Sequence, residues 1–235
     1  MVGEGSRFLK AGYNQPKFKI PLAGKTLFNW SVTSLAEYIK HGAKFIFITQ
    51  KKHDAKDFIS EECKKLNINN FTVIELKTLT KGQAETVLHA AEYINKTEAI
   101  AIYNIDTHVN SSQLPYFSKN GVDGIIPCFT ATEDKWSFVR SDANLNALEV
   151  REKQPISTNA TIGFYWFSSF TLYEDAYKKY YSQAKNIEKN ELYIAPLYNQ
   201  LIKDGKKVTI TLIDKTYIIN LGTPQELDDA RKIYE

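Results

Sequence analysis

Residues 43–49, AKFIFIT, and residues 71–76, FTVIEL, carry the reading on which the fold turns. Both runs are short, β-branched and aromatic, as strands buried in a sheet should be. Between them Asp54 opens a helix that reaches about Leu66. On the N-terminal side, residues 25–40 (KTLFNWSVTSLAEYIK) set Leu27, Trp30, Leu35 and Ile39 on or near one helical face. On the C-terminal side a third helix follows Gly82, and residues 99–104 (AIAIYN) and 124–129 read as further strands. Strand and helix in strict alternation predict an α/β fold with a doubly wound, mainly parallel sheet that is mixed overall and flanked by helices.

The pattern changes near residue 130. Residues 136–140, 147–152 and 161–167 look like consecutive strands with short polar connections, a small antiparallel or mixed patch. Helices are expected at about 169–183 and 190–204, then strands at 207–213 and 215–220. Thr223-Pro224-Gln225-Glu226 is a capping box with proline at the first helical position, so a last helix starts there. Without a repeat, a low-complexity stretch or a linker, the expectation is one domain over 1–235. The change of pattern divides it into halves of about 1–125 and about 126–235.

The 235 residues exceed a typical domain of about 150 by half. A hydrophobic share of 43%, 13% of the chain being aromatic, excludes a disordered polymer. Thirty basic against 27 acidic residues leave +3, with no long like-charge block. That argues against a nucleic-acid arm or a polybasic membrane segment. Cys63 and Cys128 lie far apart and make neither a metal spacing nor a disulfide framework. No apolar run nears the roughly 18 residues of a membrane span, and no signal peptide is visible, so a soluble cytoplasmic protein is expected.

The opening segment carries chemistry: Gly3-Glu4-Gly5-Ser6-Arg7, Gly12-Tyr13, Pro16-Lys17 and Pro21-Leu22-Ala23-Gly24-Lys25. Glycines two apart let backbone N–H groups approach anionic oxygens. Arg7 adds a planar donor fork for phosphate and Lys17 a second cation, positioned by Pro16. A phosphate-binding loop is normally fed by a strand, whereas this one starts at Met1. The expectation is that such a strand precedes it, since its loss would leave two unpaired edges inside the sheet. Asp106 ends the apolar run 99–103, where open α/β sheets bind ligands, and its hard carboxylate suits Mg²⁺. His108 is read as a hydrogen-bonded or surface residue. Trp136, Phe138, Phe164, Tyr165 and Trp166 are read as core in preference to a ligand-stacking cluster. The tyrosines of 173–181 belong to a packing face or a partner interface, the latter implying a homodimer.

These motifs resemble the signature of the sugar-phosphate nucleotidyltransferases: G-E-G-S-R-F, A-G-Y-x-x-P-K and P-L-x-G-K. The resemblance continues in order through Lys81-Gly82-Gln83-Ala84-Glu85-Thr86, Asn104-Ile105-Asp106, Glu152-Lys153, Gly163-Phe164-Tyr165 and Leu221-Gly222-Thr223-Pro224. It implies a Rossmann-like nucleotidyltransferase fold whose half at about 1–125 binds the nucleotide and whose half at about 126–235 carries a small antiparallel acceptor-binding patch. Nucleotide binding falls to Gly3, Glu4, Gly5, Ser6, Arg7, Lys17, Gly82, Gln83 and Asp106, with Gly82 and Gln83 at the base. Acceptor binding falls to Glu152, Lys153 and Gly163, Glu152 holding hydroxyl or amine groups and Lys153 the phosphate. The catalytic cations are Arg7, Lys17 and Lys153. Where many relatives carry a second metal-binding aspartate this chain has Asn220, so Mg²⁺ would rest mainly on Asp106 and the triphosphate.

The implied reaction transfers NMP from an NTP to a small phosphorylated acceptor, a sugar 1-phosphate or similar, with release of pyrophosphate. Compact capsule-type members point to CTP and to surface-polysaccharide precursors, and include cytidylyltransferases that use non-sugar phosphates such as phosphoglutamine. A phosphate monoester is mostly dianionic at neutral pH, so the attack needs no general base. A nicotinamide oxidoreductase would want a third glycine where Phe8 stands. A nucleotide-sugar glycosyltransferase would want two aspartates flanking one residue, where the chain has Asn104-Ile105-Asp106. A non-catalytic nucleotide-binding regulatory module stays open on account of Asn220.

Overall fold

The two runs that opened the reading form strands Phe45–Gln50 and Phe71–Leu76, parallel and in register from Phe45 opposite Phe71 to Gln50 opposite Leu76. The computed structural model describes residues 1–118, 121–187 and 191–235. They divide into two compact units. Met1–Leu79, Asn104–Tyr116 and Thr216–Glu235 form the first; Thr80–Tyr103 and Phe117–Lys215 form the second.

In the first unit helix Lys56–Lys65 connects the parallel pair, burying Ile59 and Cys63 against Phe18, Phe28, Val32 and Phe47. The helix expected over 25–40 is two pieces, Leu27–Thr33 and Ala36–Lys40. Hydroxyls that turn back to the backbone break it: Thr33 Oγ1 donates to the Trp30 carbonyl, and Ser34 Oγ accepts from the Val109 N–H. Lys25 and Thr26 belong to a hairpin with Pro21 and Leu22. Its two central residues, Ala23 and Gly24, have φ of 47° and 73°, the positive pair a tight two-residue turn demands. Thr26 then caps the first helical piece through the Asn29 N–H. A short strand not expected from the sequence, Thr107–Val109, pairs antiparallel with Ile218–Asn220. Residues 215–217, expected as strand, are a 3₁₀ turn. Helix Pro224–Tyr234 follows its capping box as expected, packing Leu227 and Ala230 against Phe8, Ile20 and Leu221.

The second unit holds a seven-stranded mixed sheet. Strand Val208–Leu212 runs parallel to Gly124–Thr130. The remaining ladders are antiparallel, joining Ile100–Tyr103, Phe164–Phe167, Asn159–Thr161, Ser137–Ser141 and Ala147–Glu152. The strand expected at 161–167 is interrupted. From Asn159 to Trp166 its residues run seven positions while the partner runs five, from Thr130 to Ile125. The two extra residues are Ile162 and Gly163, the latter at φ 78°. Phe138, Phe164, Tyr165 and Trp166 are all buried, as core residues should be, and Trp136 packs edge to face on Phe129. Helix Phe170–Tyr181, capped by Ser169, buries Tyr173 against Phe167. The helix expected over 190–204 begins at Asn190, outside the described residues. What is described is a 3₁₀ turn, Ala195–Leu197, leading into helix Tyr198–Lys203. Gly124 has no room for a side chain, because an added Cβ would lie 2.6 Å from Tyr198 Cε1.

The architecture is thus α/β with mixed sheets and flanking helices. Both cysteines are buried and free, and burial pushes the Cys63 thiol up to about 12. Among the described residues no helix is long and apolar enough to cross a membrane.

Candidate active site

In the first unit the glycine loop leads into helix Ser6–Lys10, with Gly5 in the left-handed conformation at its start, φ 63°. A Cβ on Gly3 or Gly5 would meet nothing within 4 Å, so the backbone there stands open. Phe8 anchors the helix in the core while Ser6 and Arg7 remain exposed. The Arg7 side chain makes no hydrogen bond or ion pair among the described residues. Glu4 is paired with Lys52 at 2.7 Å, and that hydrogen bond above all lowers its carboxyl pKa.

Lys17 and Asp106 meet, although 89 positions separate them: Nζ donates to Oδ2 at 2.5 Å. Pro16 sets Lys17 at the start of the 3₁₀ turn Lys17–Lys19. Asp106 sits in the turn before strand Thr107–Val109, its carbonyl accepting from the Leu221 N–H at 2.8 Å. Burial alone would raise the Asp106 carboxyl, but the charge and hydrogen bond of Lys17 outweigh it and hold it below the ordinary range.

The surroundings of Asp106 fit a divalent cation carried by a polyphosphate. A Cβ on Gly222 would lie 3.2 Å from Asp106 Oδ2 and 3.5 Å from Glu226 Oε2, so glycine keeps clear the space on which both carboxylates border. The ladder sets Asn220 opposite Thr107, the residue after Asp106. Among the described residues no three His, Cys, Asp or Glu side chains group as metal ligands. A single carboxylate is the kind of donor Mg²⁺ takes from a protein when it draws its other ligands from phosphate and water.

The second unit gathers the remaining residues. Gly82, at φ 151°, precedes helix Gln83–Leu88 and lies against the backbone of Leu192, where a Cβ would come within 2.5 Å of the nitrogen and oxygen. Its lack of a side chain is therefore a packing requirement. Gln83 is the first residue of that helix. Glu152 is buried, accepts from Ser137 Oγ, and stands 3.7 Å from Lys153 Nζ. Lys153 follows strand Ala147–Glu152 at φ 52°, and Gly163 supplies the bulge described above.

A structure of the nucleoside-diphosphate-sugar pyrophosphorylase from Vibrio cholerae RC9 superposes with a TM-score of 0.91 at 36% identity, over 99% of this chain and 98% of that one. This chain belongs to the sugar-phosphate nucleotidyltransferase family. Two more distant structures share the fold. The inositol-1-phosphate CTP transferase from T. maritima matches at TM-score 0.78 and 16% identity, over 99% of this chain and 90% of that one. A UDP-glucose pyrophosphorylase complexed with UDP-glucose matches at 0.75 and 18%, over 99% and 95%. No protein-family model matches the chain, and no curated protein does.

Within this nucleotidyltransferase His108 has a structural place. Its Nδ1 lies 2.6 Å from the Trp30 carbonyl oxygen, and burial pushes the imidazole pKa down. Sequence reasoning missed Glu226, Ser137, Glu191 and Tyr193, which contact or flank the expected residues. Only Glu226 carried a signal, as the last residue of the capping box, where it accepts from the Gly222 N–H at 3.1 Å.

Proposed function

We propose that the enzyme transfers a nucleoside monophosphate, with CTP the preferred donor, to a small phosphorylated acceptor and releases pyrophosphate. An acceptor phosphate oxygen attacks the α-phosphorus, the bond from that phosphorus to the bridging oxygen breaks, and pyrophosphate leaves. The acceptor is a sugar 1-phosphate or a comparable small phosphate such as phosphoglutamine. The product is an activated precursor for surface polysaccharide, capsule included, made in the cytoplasm. CTP is favoured by the likeness to compact capsule-type members, which include cytidylyltransferases.

The observation that carries this reading is the Lys17–Asp106 pair. It unites a cation from the opening motif with the carboxylate expected to face the triphosphate. Arg7 and Lys17 bind and orient the donor phosphates, while Glu152 and Lys153 hold the acceptor. Asp106, with the uncharged oxygen of Asn220, would hold Mg²⁺, which when bound neutralises phosphate charge. The acceptor is already dianionic at neutral pH, so no residue need act as base. What the chain supplies is alignment and positive charge for two anions that repel each other.

The test is a thermal-shift screen of CTP, UTP, dTTP, GTP and ATP with Mg²⁺, followed by pyrophosphate release with a panel of sugar 1-phosphates and phosphoglutamine. Ligand binding raises the melting temperature by mass action, so CTP should give the largest shift. A larger shift with another nucleotide replaces CTP, and no acceptor-dependent pyrophosphate with any pair removes the reading.

A further inference from the structure

The hydrogen bond that holds Lys153 goes to a neutral group. Nζ donates to the Tyr193 hydroxyl at 2.8 Å and lies 4.6 Å from the centroid of the same ring. The Tyr193 hydroxyl in turn donates to Glu191 Oε2. Glu152 Oε1, at 3.7 Å, is beyond hydrogen-bond reach, and its other oxygen is taken by Ser137. A carboxylate in direct contact would compete with an incoming phosphate for the ammonium. A phenol aims the ammonium while leaving it charged, and occupies one of its three donors.

Tyr193 is itself fixed on several sides. Its carbonyl accepts from the Tyr181 hydroxyl at 2.6 Å. The preceding residue, Leu192, donates to the Lys81 carbonyl and accepts from the Ala84 N–H, each at 2.9 Å, and its backbone fills the space over Gly82. A backbone anchored in this way fixes the base of the Tyr193 side chain, and the Glu191 carboxylate holds its hydroxyl end, as preorganised binding requires.

We infer that Tyr193, backed by Glu191, is the positioning residue for the acceptor-phosphate lysine. The inference rests on the reading of Lys153 as the cation that takes the acceptor phosphate. It deepens that reading by naming what sets the cation's aim, and it assigns the segment 191–193 a part in acceptor affinity.

The experiment labels the full-length chain with acetic anhydride at one fixed pH, reads modification of Lys153 by mass spectrometry, and uses inorganic phosphate as the protecting probe. In the wild type phosphate should protect Lys153. In Tyr193→Phe the half-protecting concentration should rise about tenfold, as expected when a hydrogen bond to a charged group is lost. Glu191→Gln, which still accepts from the phenol, should stay within about twofold of wild type, whereas Glu191→Leu should behave like Tyr193→Phe. The Glu191 variants carry the test should Tyr193→Phe fail to fold. If phosphate does not protect Lys153 in the wild type, the assignment of the lysine falls and the inference with it. Protection in the wild type with an unchanged half-protecting concentration in Tyr193→Phe or Glu191→Leu overturns the inference alone, as does Glu191→Gln behaving like Glu191→Leu.

Discussion

Lys17 and Asp106 each expose about a quarter of the side chain, 26% apiece, so their attraction is only partly screened. Asp106 is held below its ordinary pKa, so the pair's stabilisation is complete above the unfolded carboxyl value of about 3.9. It is lost only as pH falls through the lower folded value. Between pH 6 and 8 the Asp106 carboxylate is therefore ionised throughout, and Lys17→Met tests the cation's role in turnover without a change in Asp106. Removing this cation should lower kcat about a hundredfold, on the order of 3 kcal/mol of transition-state stabilisation, measured as pyrophosphate release. Arg7→Ala should lower it at least about tenfold by the same logic, with the circular-dichroism spectrum unchanged. Both residues stand out in the sequence, in a glycine-rich start followed by Arg and Pro-Lys. Their geometry does not: the meeting of Lys17 with a carboxylate 89 positions away is a product of the fold. Tyr193 was illegible for a different reason. It lies between a bridge residue and a 3₁₀ turn, where no periodicity marks a side chain as special.

Elements with a strong local code were readable and those set by single contacts were not. The run 71–76 and the capping box at Thr223 each say what they are without help from the rest of the chain. The break at Ser34 depends on an N–H donated from Val109, and the bulge at Ile162–Gly163 on a change of pairing, neither of which leaves a pattern. The capping box allows a clean test. Thr223 Oγ1 accepts from the Glu226 N–H at 3.2 Å, so Thr223→Ala should cost about 1 kcal/mol in urea denaturation. Gly82 gives the opposite kind of case, an element start dictated by a neighbour. A methyl there must displace the Leu192 backbone and adopt φ 151°, so Gly82→Ala should cost about 2–3 kcal/mol. Because Leu192 adjoins Tyr193, the same variant should also weaken phosphate protection of Lys153. Thr223→Ala, which leaves Leu192 and Tyr193 untouched, should not.

At the scale of the whole molecule the charge balance matters more than any one pair. The chain carries a net charge of only +3, so its attraction for a triphosphate and a phosphate monoester must come from local cations and not from a general field. Two titratable groups of the first unit bear on the window between pH 6 and 8. Asp106 ionises below that window, and burial pushes His108 down from its ordinary value. For the proposed attack, the second ionisation of the acceptor phosphate, near pKa 6, is the proton that sets the rate. Log kcat/KM for the acceptor should be flat above about pH 7 and fall with unit slope below about pH 6. The decisive control changes the acceptor and leaves the protein alone. A phosphonate analogue with a higher second pKa should carry the inflection upward by the difference between the two acids. An inflection that stays in place would assign the proton to a side chain, and attack by an already ionised phosphate without a general base would have to be abandoned.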